Sequence, residues 1–476
     1  MGIVQIRAED GTRIEFVDEV IGSGAMKDVY FSPCRSYVVA FYRSAPDEAG
    51  RARLAMITGQ YRERIFANPQ GEYWRRLFCW PERLIYWRDR IGLVIPAYPR
   101  QFFFEHGSVN NDFLQIRGQE KQGKWFASAS NQSRFLDARE KGDWLGYLRI
   151  GLMIARATRR LHAAGLAHSD LSYRNVLVAP TLGEATLTDL DGLVVPGKYP
   201  PDVVGTPDFI APEVVATAHL PKADPARKLP TIATDRHALA VLIYHYLFLR
   251  HPLRGDKVHA LDPQIDETLG MGERALFIEH PEDRTNRVDP ERRKPGELPW
   301  WDTDRLPYTL AGIYLTPLFE RAFITGLHQP EQRPTADEWE SALIRTLDLI
   351  QPCQNHACSQ RWFIFNGQSA AACPFCGHPY QGKLPILEFY SERAQEWIAD
   401  HHRLVLYSNQ SLFPWHTNRL VQPNERLAAP QRRRQGYCVE HQGTWYLVNE
   451  RMGELRDLRT QQSYPPGSQV ALEEGM

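Results

Sequence analysis

Apolar and polar residues alternate over short runs in the first hundred positions, which predicts a small antiparallel sheet. Residues 14–17 and 38–42 show the two-residue period of strands that have one buried face. Two further apolar runs, at 83–87 and 91–95, are separated by a short polar turn. We therefore expect a sheet before position 98.

Helical periodicity follows in three later segments. Residues 47–66 have a helical pattern that Gly59 interrupts, and a strongly apolar helix opens at Asp235. Between them, residues 143–164 repeat apolar positions every three to four residues, with Asp143 as the cap. The chain thus combines a sheet with separate helices, which is the α+β class.

Two long segments interrupt this pattern. Residues 105–142 are polar and irregular, and residues 255–308 are charged and rich in proline. Such composition is typical of surface loops. We expect both segments to lie on the surface.

Three polar residues stand at fixed spacing after the second helix: Asp170, Asn175 five positions later, and Asp189 beyond a short strand. Each residue alone is most often a turn or a helix cap. Phosphoryl transfer from ATP, however, needs a carboxylate to orient the attacking hydroxyl and hard oxygen ligands for Mg²⁺. Asp170 suits the first role, and Asn175 and Asp189 suit the second.

The sequence around these residues, HSDLSYRNVLV, then LTDLDG, then GTPDFIAPE, resembles the catalytic core of eukaryotic-like protein kinases. The resemblance covers about residues 13–350 and implies a bilobal fold, with an N-lobe at 13–98 and a C-lobe at 99–350. It also implies ATP and Mg²⁺ as cofactors. Two positions depart from the family pattern, since Ser169 replaces an arginine and Asp191 replaces a glycine. The role of Asp191 is open.

The same resemblance implies two supporting contacts in the helical part. Arg333 stands where kinases have an arginine that pairs with the glutamate of the APE motif, here Glu213. Asp235 stands where an aspartate braces the backbone of the catalytic loop. Both contacts are structural rather than catalytic.

A glycine-rich loop precedes the catalytic segment. Gly22, Gly24 and Val29 match the kinase GxGxxGxV pattern, and Lys27 stands in the slot of the third glycine. Glycines let backbone N–H groups approach phosphates, although two glycines in a plain hairpin are common. The resemblance further implies that adenine lies near Ala40.

At the hinge, backbone groups of Ala97 and Tyr98 would hold the adenine, since Pro96 has no N–H to donate.

The lysine that kinases carry on the third strand is missing, because Tyr42 stands in its place. Lys27 on the neighbouring strand could reach the same point, as in the with-no-lysine kinases, whose loop this one resembles. The alternatives are a substitution by Arg43 or a solvent-facing Lys27 in an inactive kinase. Glu48 and Glu63 are both candidates for the glutamate that pairs with the lysine, and the sequence does not choose between them.

The sequence gives conflicting indications of whether serine/threonine or tyrosine is the phosphorylated residue. Arg174, four residues after Asp170, resembles tyrosine kinases, whereas the segment around Thr206 resembles serine/threonine kinases. We favour serine/threonine. Because Ser169 replaces the arginine that grips a phosphorylated loop, we expect activity without phosphorylation of that loop, which contains Tyr199.

Four of the seven cysteines crowd into 24 residues near position 365: Cys353, Cys358, Cys373 and Cys376. Two pairs of thiols on tight turns are the arrangement that a tetrahedral Zn²⁺ requires. Four thiolates leave no open coordination position, so we predict a structural zinc ribbon at 351–380.

Beyond a linker, residues 386–476 show short alternating runs, including a hairpin with its turn at Gln442-Gly443. We predict a small, all-β, sandwich-like domain with an interaction role.

The order of kinase, four-cysteine ribbon and β-domain resembles a bacterial family of kinases associated with a von Willebrand-type protein and a metal-dependent phosphatase, a triad linked to tellurite resistance and stress. The resemblance implies a protein substrate, and these two proteins as partners. A second hypothesis, favoured by the altered motifs, is a pseudokinase scaffold that recruits partners through its tail.

The formal net charge of −1 over 476 residues gives no general attraction to nucleic acid or membrane. There is also no apolar run long enough for a signal peptide or a membrane span. We expect a soluble, cytoplasmic protein.

Overall fold

The computed structural model describes residues 2–23, 26–67, 69–195, 198, 205–221, 223–367 and 372–473. The chain divides into two compact units. Unit 1 comprises the residues up to Thr309 together with Leu315–Leu343, and unit 2 comprises Leu310–Tyr314 together with the residues from Ile344 onward.

Seventeen strands and twelve α-helices lie in the described residues. The strands are β1 Ile3–Arg7, β2 Arg13–Val17, β3 Val20–Ser23, β4 Lys27–Phe31, β5 Tyr37–Tyr42, β6 Arg83–Trp87, β7 Arg90–Pro96, β8 Val176–Ala179, β9 Glu184–Leu187, β10 Ile350–Pro352, β11 Trp362–Ile364, β12 Ile386–Arg393, β13 Glu396–Val405, β14 Gln410–Leu412, β15 Gly436–His441, β16 Thr444–Asn449 and β17 Gln469–Ala471. The helices are α1 Glu48–Met56, α2 Arg62–Phe66, α3 Gly71–Arg75, α4 Val109–Asp112, α5 Ala129–Arg134, α6 Trp144–Ala163, α7 Pro212–Thr217, α8 Ile232–Phe248, α9 Pro263–Met271, α10 Gly312–Glu320, α11 Ala336–Leu347 and α12 Pro414–Thr417.

The predicted antiparallel sheet is present in unit 1. Its five strands lie in the order β3-β4-β5-β7-β6, and β1 and β2 form a separate two-stranded sheet. Phe16, Phe41 and Trp87 pack edge-to-face or tilted, with ring centroids 5.1–5.5 Å apart. This aromatic cluster joins the two sheets into one core, because Phe16 comes from β2 and the other two rings come from β5 and β6.

The register of β4 and β5 decides where the site's side chains point. Lys27 lies directly opposite Tyr42, and Val29 lies opposite Ala40. Directly opposed residues of an antiparallel pair project from the same face of the sheet. Lys27 and Tyr42 therefore approach the same point from neighbouring strands.

The helix predicted at 47–66 is present with a change of winding in its middle. Asp47 caps α1 by accepting from the Gly50 N–H, and a π-helical turn at Ile57–Tyr61 then leads into α2. Gly59 lies inside this turn. The predicted interruption at Gly59 is thus a widened turn rather than a break.

Two long helices form the centre of the helical part of unit 1. The α6 cap is Asp143, as predicted, and the Trp144 indole donates to the Leu247 carbonyl of α8 at 3.0 Å. The rings of Tyr147 and Tyr246 stack with centroids 6.4 Å apart. The α8 helix begins at Ile232, three residues before Asp235, where it was expected to open, and Thr231 is its cap.

The expectation that 105–142 is a surface segment is wrong for much of its length. Lys121 and Glu140 form a buried ion pair at 2.8 Å, and Phe126 and Leu136 are fully buried. At Gly123 an added Cβ would lie only 2.0 Å from the Tyr246 hydroxyl. The segment is therefore packed tightly against α8, and its polar residues are in part buried pairing groups rather than solvated ones.

Unit 2 contains the hairpin predicted around Gln442-Gly443, formed by β15 and β16. These strands belong to a four-stranded sheet in the order β14-β15-β16-β17, and β12 pairs with β13. Leu404 of the β12–β13 pair shares a buried cluster with Leu447 of the four-stranded sheet. A C-terminal sheet domain is present. The boundaries predicted for it, and for the ribbon before it, stay predictions.

Among the described residues, no helix is both long and apolar enough to cross a membrane.

Buried histidines make unit 1 sensitive to acid. Burial lowers the pKa of His245 to about 4 and that of His251 to about 3, and it holds the pKa of His237 well below its usual value. Each must gain a proton on unfolding below the ordinary pKa of about 6.5. The free energy of unfolding should then fall as the pH drops from about 6.5 to 4, by up to about 1.4 kcal/mol per pH unit for each histidine.

Urea unfolding, followed by circular dichroism across this pH range, measures the slope. In His245→Gln the unfolding free energy should depend less steeply on pH, by the contribution of one histidine, which is up to about 1.4 kcal/mol per pH unit. An unfolding free energy that stays constant between pH 6.5 and 4 would contradict the assignment of buried, neutral histidines.

Candidate active site

The loop between α6 and β8 holds Asp170 and Asn175 in a network of hydrogen bonds. The Asn175 amide nitrogen donates to the Asp170 carbonyl and to Asp170 Oδ2, both at 2.8 Å. The Thr206 backbone N–H and hydroxyl donate to Asp170 Oδ1 at 2.7 and 2.8 Å. The Asp170 carboxylate is thus fixed on both oxygens, one of them by a hydroxyl group.

The backbone of this loop is supported from α8, as expected. Asp235 accepts from the His168 N–H at 2.7 Å and from the Ser169 N–H at 3.1 Å. Ser169 itself has a positive φ of 66°. An unusual backbone conformation persists only where surrounding contacts hold it, and the buried Asp235 carboxylate supplies those contacts.

Lys27 joins this region from the sheet. Its Nζ lies 2.8 and 2.7 Å from the two oxygens of Asp191 and 3.2 Å from Asp189 Oδ1. The Tyr42 hydroxyl donates to Asp191 as well. The side chain of Asp191 is only 8% exposed, whereas that of Asp189 is 54% exposed. Asp191 is therefore an anchor for the lysine, and the Asp189 carboxylate is about half exposed to solvent.

The charges in this cluster depend on each other. Burial alone would lower the pKa of Lys27, but the charges of Asp191 and Asp189 outweigh it and raise that pKa. Burial would raise the pKa of Asp191, yet Lys27 and the Tyr42 hydroxyl bring it below the usual value. For Asp189, burial and the neighbouring Asp191 charge raise the pKa. Lys27 is charged at neutral pH, with Asp191 as its main counter-ion.

The other residues considered for the lysine site do not contact the Asp189–Asp191 cluster in the described structure. Arg43 is directed away and binds Asp28 at 2.9 Å. Glu48 and Glu63 are exposed, and the described ion-pair partners of Lys27 are Asp189 and Asp191. The pairing role expected for a glutamate of α1 or α2 therefore falls to Asp191, which sequence reasoning left unassigned. The only signal for it was a carboxylate in a slot normally held by glycine.

The predicted nucleotide-binding residues that the structure describes lie in the first sheet strands and at the hinge. Gly22 lies in β3 and Val29 in β4, while Ala40 of β5 is buried. Gly24, the second predicted glycine, and Tyr199 of the later loop lie outside the described residues.

A backbone hydrogen bond connects the hinge to the residue before β5. The Ala97 N–H donates to the Ser36 carbonyl at 3.1 Å. The binding of adenine by Ala97 and Tyr98 stays a prediction.

The predicted brace between Arg333 and Glu213 is present. The guanidinium makes two hydrogen bonds to the carboxylate, at 2.9 and 2.7 Å, and the arginine side chain is fully buried. Such a forked pair fixes geometry as well as charge. It ties the segment after Thr206 to the loop that precedes α11.

Comparison with known families agrees with these motifs. Residues 146–361 match the family model described as the protein kinase domain. This part of the chain is therefore similar to a protein kinase domain. The match begins inside α6, so the strands that carry Lys27 and Tyr42 lie outside it.

Curated relatives are protein kinases too. The serine/threonine-protein kinase PknD of Chlamydia abortus is 29% identical over 176 residues, which are 31% of this chain and 17% of that protein. The death-associated protein kinase dapk-1 of Caenorhabditis elegans is 35% identical over 107 residues, covering 22% and 7%. A cAMP-dependent protein kinase, catalytic subunit-like, of Caenorhabditis briggsae is 26% identical over 208 residues, covering 39% and 51%. The chain thus spans at most about half the length of these relatives.

A kinase domain implies ATP and Mg²⁺, and the donor atoms here suit a hard cation. The Asn175 amide nitrogen is used on Asp170, which leaves its amide oxygen for a metal. The side chain of Asp189 is 54% exposed, so its carboxylate is accessible to an ion from solvent. Oxygen donors of these two kinds are the ligands that Mg²⁺ prefers.

The four predicted zinc ligands are brought together in unit 2. Their sulfur atoms all lie within 4.8 Å of one another, with 3.6 Å between Cys353 and Cys376 and 3.8 Å between Cys358 and Cys373. A tetrahedral site with Zn–S bonds of about 2.3 Å has sulfur atoms about 3.8 Å apart. The cluster therefore has the size and the ligands for a zinc ion.

Purified protein should contain about one zinc per chain by elemental analysis. Cys358→Ser should lose most of this zinc and lower the thermal stability of unit 2, because a structural site contributes its binding energy to folding. Cys34→Ser is the matched control, since Cys34 is exposed and remote from the cluster in sequence. Wild-type protein without zinc would contradict the assignment.

Proposed function

We propose that the protein is an active, ATP-dependent protein kinase that phosphorylates serine or threonine. The observation that carries this proposal is the position of Lys27. Its ammonium group lies against Asp189, 162 residues away in the chain, at the place where a kinase needs a cation. A pseudokinase that does not bind nucleotide would gain nothing from a cation at this point.

The proposal gives each polar residue of the site a separate role. Asp170 orients the hydroxyl of the substrate and accepts its proton. Asn175 and Asp189 would hold Mg²⁺, which when bound neutralises phosphate charge. Lys27 holds the phosphates of ATP, under the loop that contains Gly22 and Gly24.

Asp191 and Tyr42 position Lys27 in this proposal. The carboxylate of Asp191 receives both the ammonium group and the phenol, so the lysine is held from a site that is almost closed to water. Charged hydrogen bonds in such surroundings are strong and directional. Asp191 thus replaces the glutamate that other kinases use for the same task.

The neighbours of Asp170 favour a small hydroxyl substrate. The Thr206 hydroxyl lies 2.8 Å from Asp170 Oδ1 and 3.1 Å from the Ser172 hydroxyl. An aliphatic hydroxyl already occupies hydrogen-bonding distance of the base. This supports serine or threonine over tyrosine as the residue that is phosphorylated. Arg174 is the feature that favours tyrosine instead.

The rest of the chain is assigned by resemblance. The domain limits 13–350, 351–380 and 386–476 delimit kinase, zinc ribbon and interaction domain. The substrate or partner would be a von Willebrand-type protein, acting with a metal-dependent phosphatase. The second candidate function, a scaffold that binds nucleotide without transfer, has the altered motifs around Ser169 and Asp191 in its favour.

Labelled-phosphate transfer from Mg-ATP tests the proposal. Asp170→Asn and Lys27→Met should each reduce transfer by about a hundredfold or more, since each removes a group that acts on the reacting atoms. Lys383→Met, at an exposed lysine of unit 2, should transfer like wild type. Nucleotide binding by a wild type that transfers nothing, to itself or to a generic serine substrate, would favour the scaffold.

Asp191→Asn tests the positioning role separately. It should raise the KM for ATP by about tenfold, because Lys27 loses its buried counter-ion while Asp170 is unchanged. Tyr42→Phe should have a smaller effect in the same direction, since it removes only the phenol hydrogen bond. An Asp191→Asn variant with wild-type KM and kcat would show that Asp191 has no such role.

A further inference from the structure

A large cleft lies beside the catalytic loop, outside the site described above. Its volume is about 660 Å³, which is in the range of about 300–1,000 Å³ typical of ligand sites. Tyr173 and Arg174 of the catalytic loop form one wall, and Lys124 and Trp125 of the 105–142 segment form another. Trp301 adds a further indole ring to the lining.

The two walls are fixed to each other. The Lys124 N–H donates to the Tyr173 carbonyl at 3.2 Å, and the Asn131 amide donates to the Lys124 carbonyl at 3.1 Å. Gly123 permits this approach, because an added Cβ would meet the Tyr173 carbonyl oxygen at 3.0 Å. Lys124 and Arg174 are therefore held as near neighbours along one edge of the cleft.

The charges of the cleft do not cancel. Among the described residues, Asp208 is the one acidic residue in the lining, and Arg254 binds its carboxylate at 2.5–2.7 Å. Arg254 also binds Glu267, which lies outside the lining, at 2.8 Å. Arg250, deeper in the cleft, is paired with Glu279. Lys124 and Arg174 are exposed, and no carboxylate partner for either lies in the part of the chain that the structure describes. Two uncompensated cations remain at the edge.

The cleft is also close to the reacting group. Arg174 directly precedes Asn175, whose amide contacts Asp170, and Asp208 follows Thr206 by two residues. A peptide whose hydroxyl reaches Asp170 would therefore place residues near the phosphoacceptor in this cleft.

We infer that this cleft binds the protein substrate next to its phosphoacceptor and selects acidic side chains there through Lys124 and Arg174. This inference rests on the proposed kinase function and adds the substrate class. Trp125 and Trp301 supply apolar surface for the peptide, since aromatic side chains and arginine dominate such contacts. Opposite charge in a partly enclosed cleft provides the selectivity.

Phosphorylation of a set of synthetic peptides by the 476-residue protein tests this inference. A single serine stands in an alanine-glycine background, and glutamate or lysine is placed in turn at each of the four positions on either side. Glutamate should raise kcat/KM by about tenfold at one or two positions, and lysine should lower it there. Arg174→Gln and Lys124→Gln should each remove most of this preference, whereas exposed Arg419→Gln should not.

Charge reversal gives the sharper result. Arg174→Glu should move the preference from glutamate to lysine at the same position, which a merely structural arginine would not do. Circular dichroism melting establishes that the variants are folded. A wild type that shows no preference, or prefers lysine, would overturn the inference even if its transfer activity is high.

Binding separates this inference from the kinase proposal. The glutamate peptide with alanine in place of serine should bind wild type by fluorescence anisotropy, more weakly with rising salt and more weakly in Arg174→Gln. If this binding is present without any transfer, the selection of acidic side chains by the cleft stands, whereas the kinase proposal and the position of the cleft next to a phosphoacceptor fail. If neither binding nor transfer is observed, both are overturned.

Discussion

The ion pair between Lys27 and Asp191 is the contact on which the site depends. It connects the sheet to the segment after β9, and it brings a cation to the carboxylate of Asp189. Removing two charges from water is favourable only when their geometry is good and their remaining hydrogen bonds are made. The Tyr42 hydroxyl supplies one of those bonds. Tyr42, which stands in the usual lysine position, therefore helps to stabilise the buried carboxylate that holds Lys27.

The sequence predicted the helices and strands better than it predicted the contacts between distant residues. Strand alternation located β2 and β5, and the Asp143 cap located the start of α6. Spacing alone grouped Asp170, Asn175 and Asp189. These features are local, so a linear pattern contains them.

What the sequence did not predict depends on contacts between distant residues. The polarity of 105–142 resembled a surface loop, because composition cannot show that Lys121 and Glu140 neutralise each other in the interior. The hydrogen bond from the Ala97 N–H was not predicted because its partner, the Ser36 carbonyl, lies 61 residues earlier and leaves no signal in composition or spacing. Asp191 had no assigned role, because its partners Lys27 and Tyr42 come from strands about 150 residues earlier.

The hydrogen bonds on Asp170 have a consequence for the direction from which a further donor can approach it. Oδ1 accepts two hydrogen bonds from Thr206, whereas Oδ2 accepts one from Asn175. A carboxylate offers about two acceptor positions on each oxygen, so the position without a donor among the described residues is on Oδ2. In the proposed reaction, the hydroxyl of the substrate would therefore meet Oδ2, and Thr206 would restrict its approach to that side of the carboxylate.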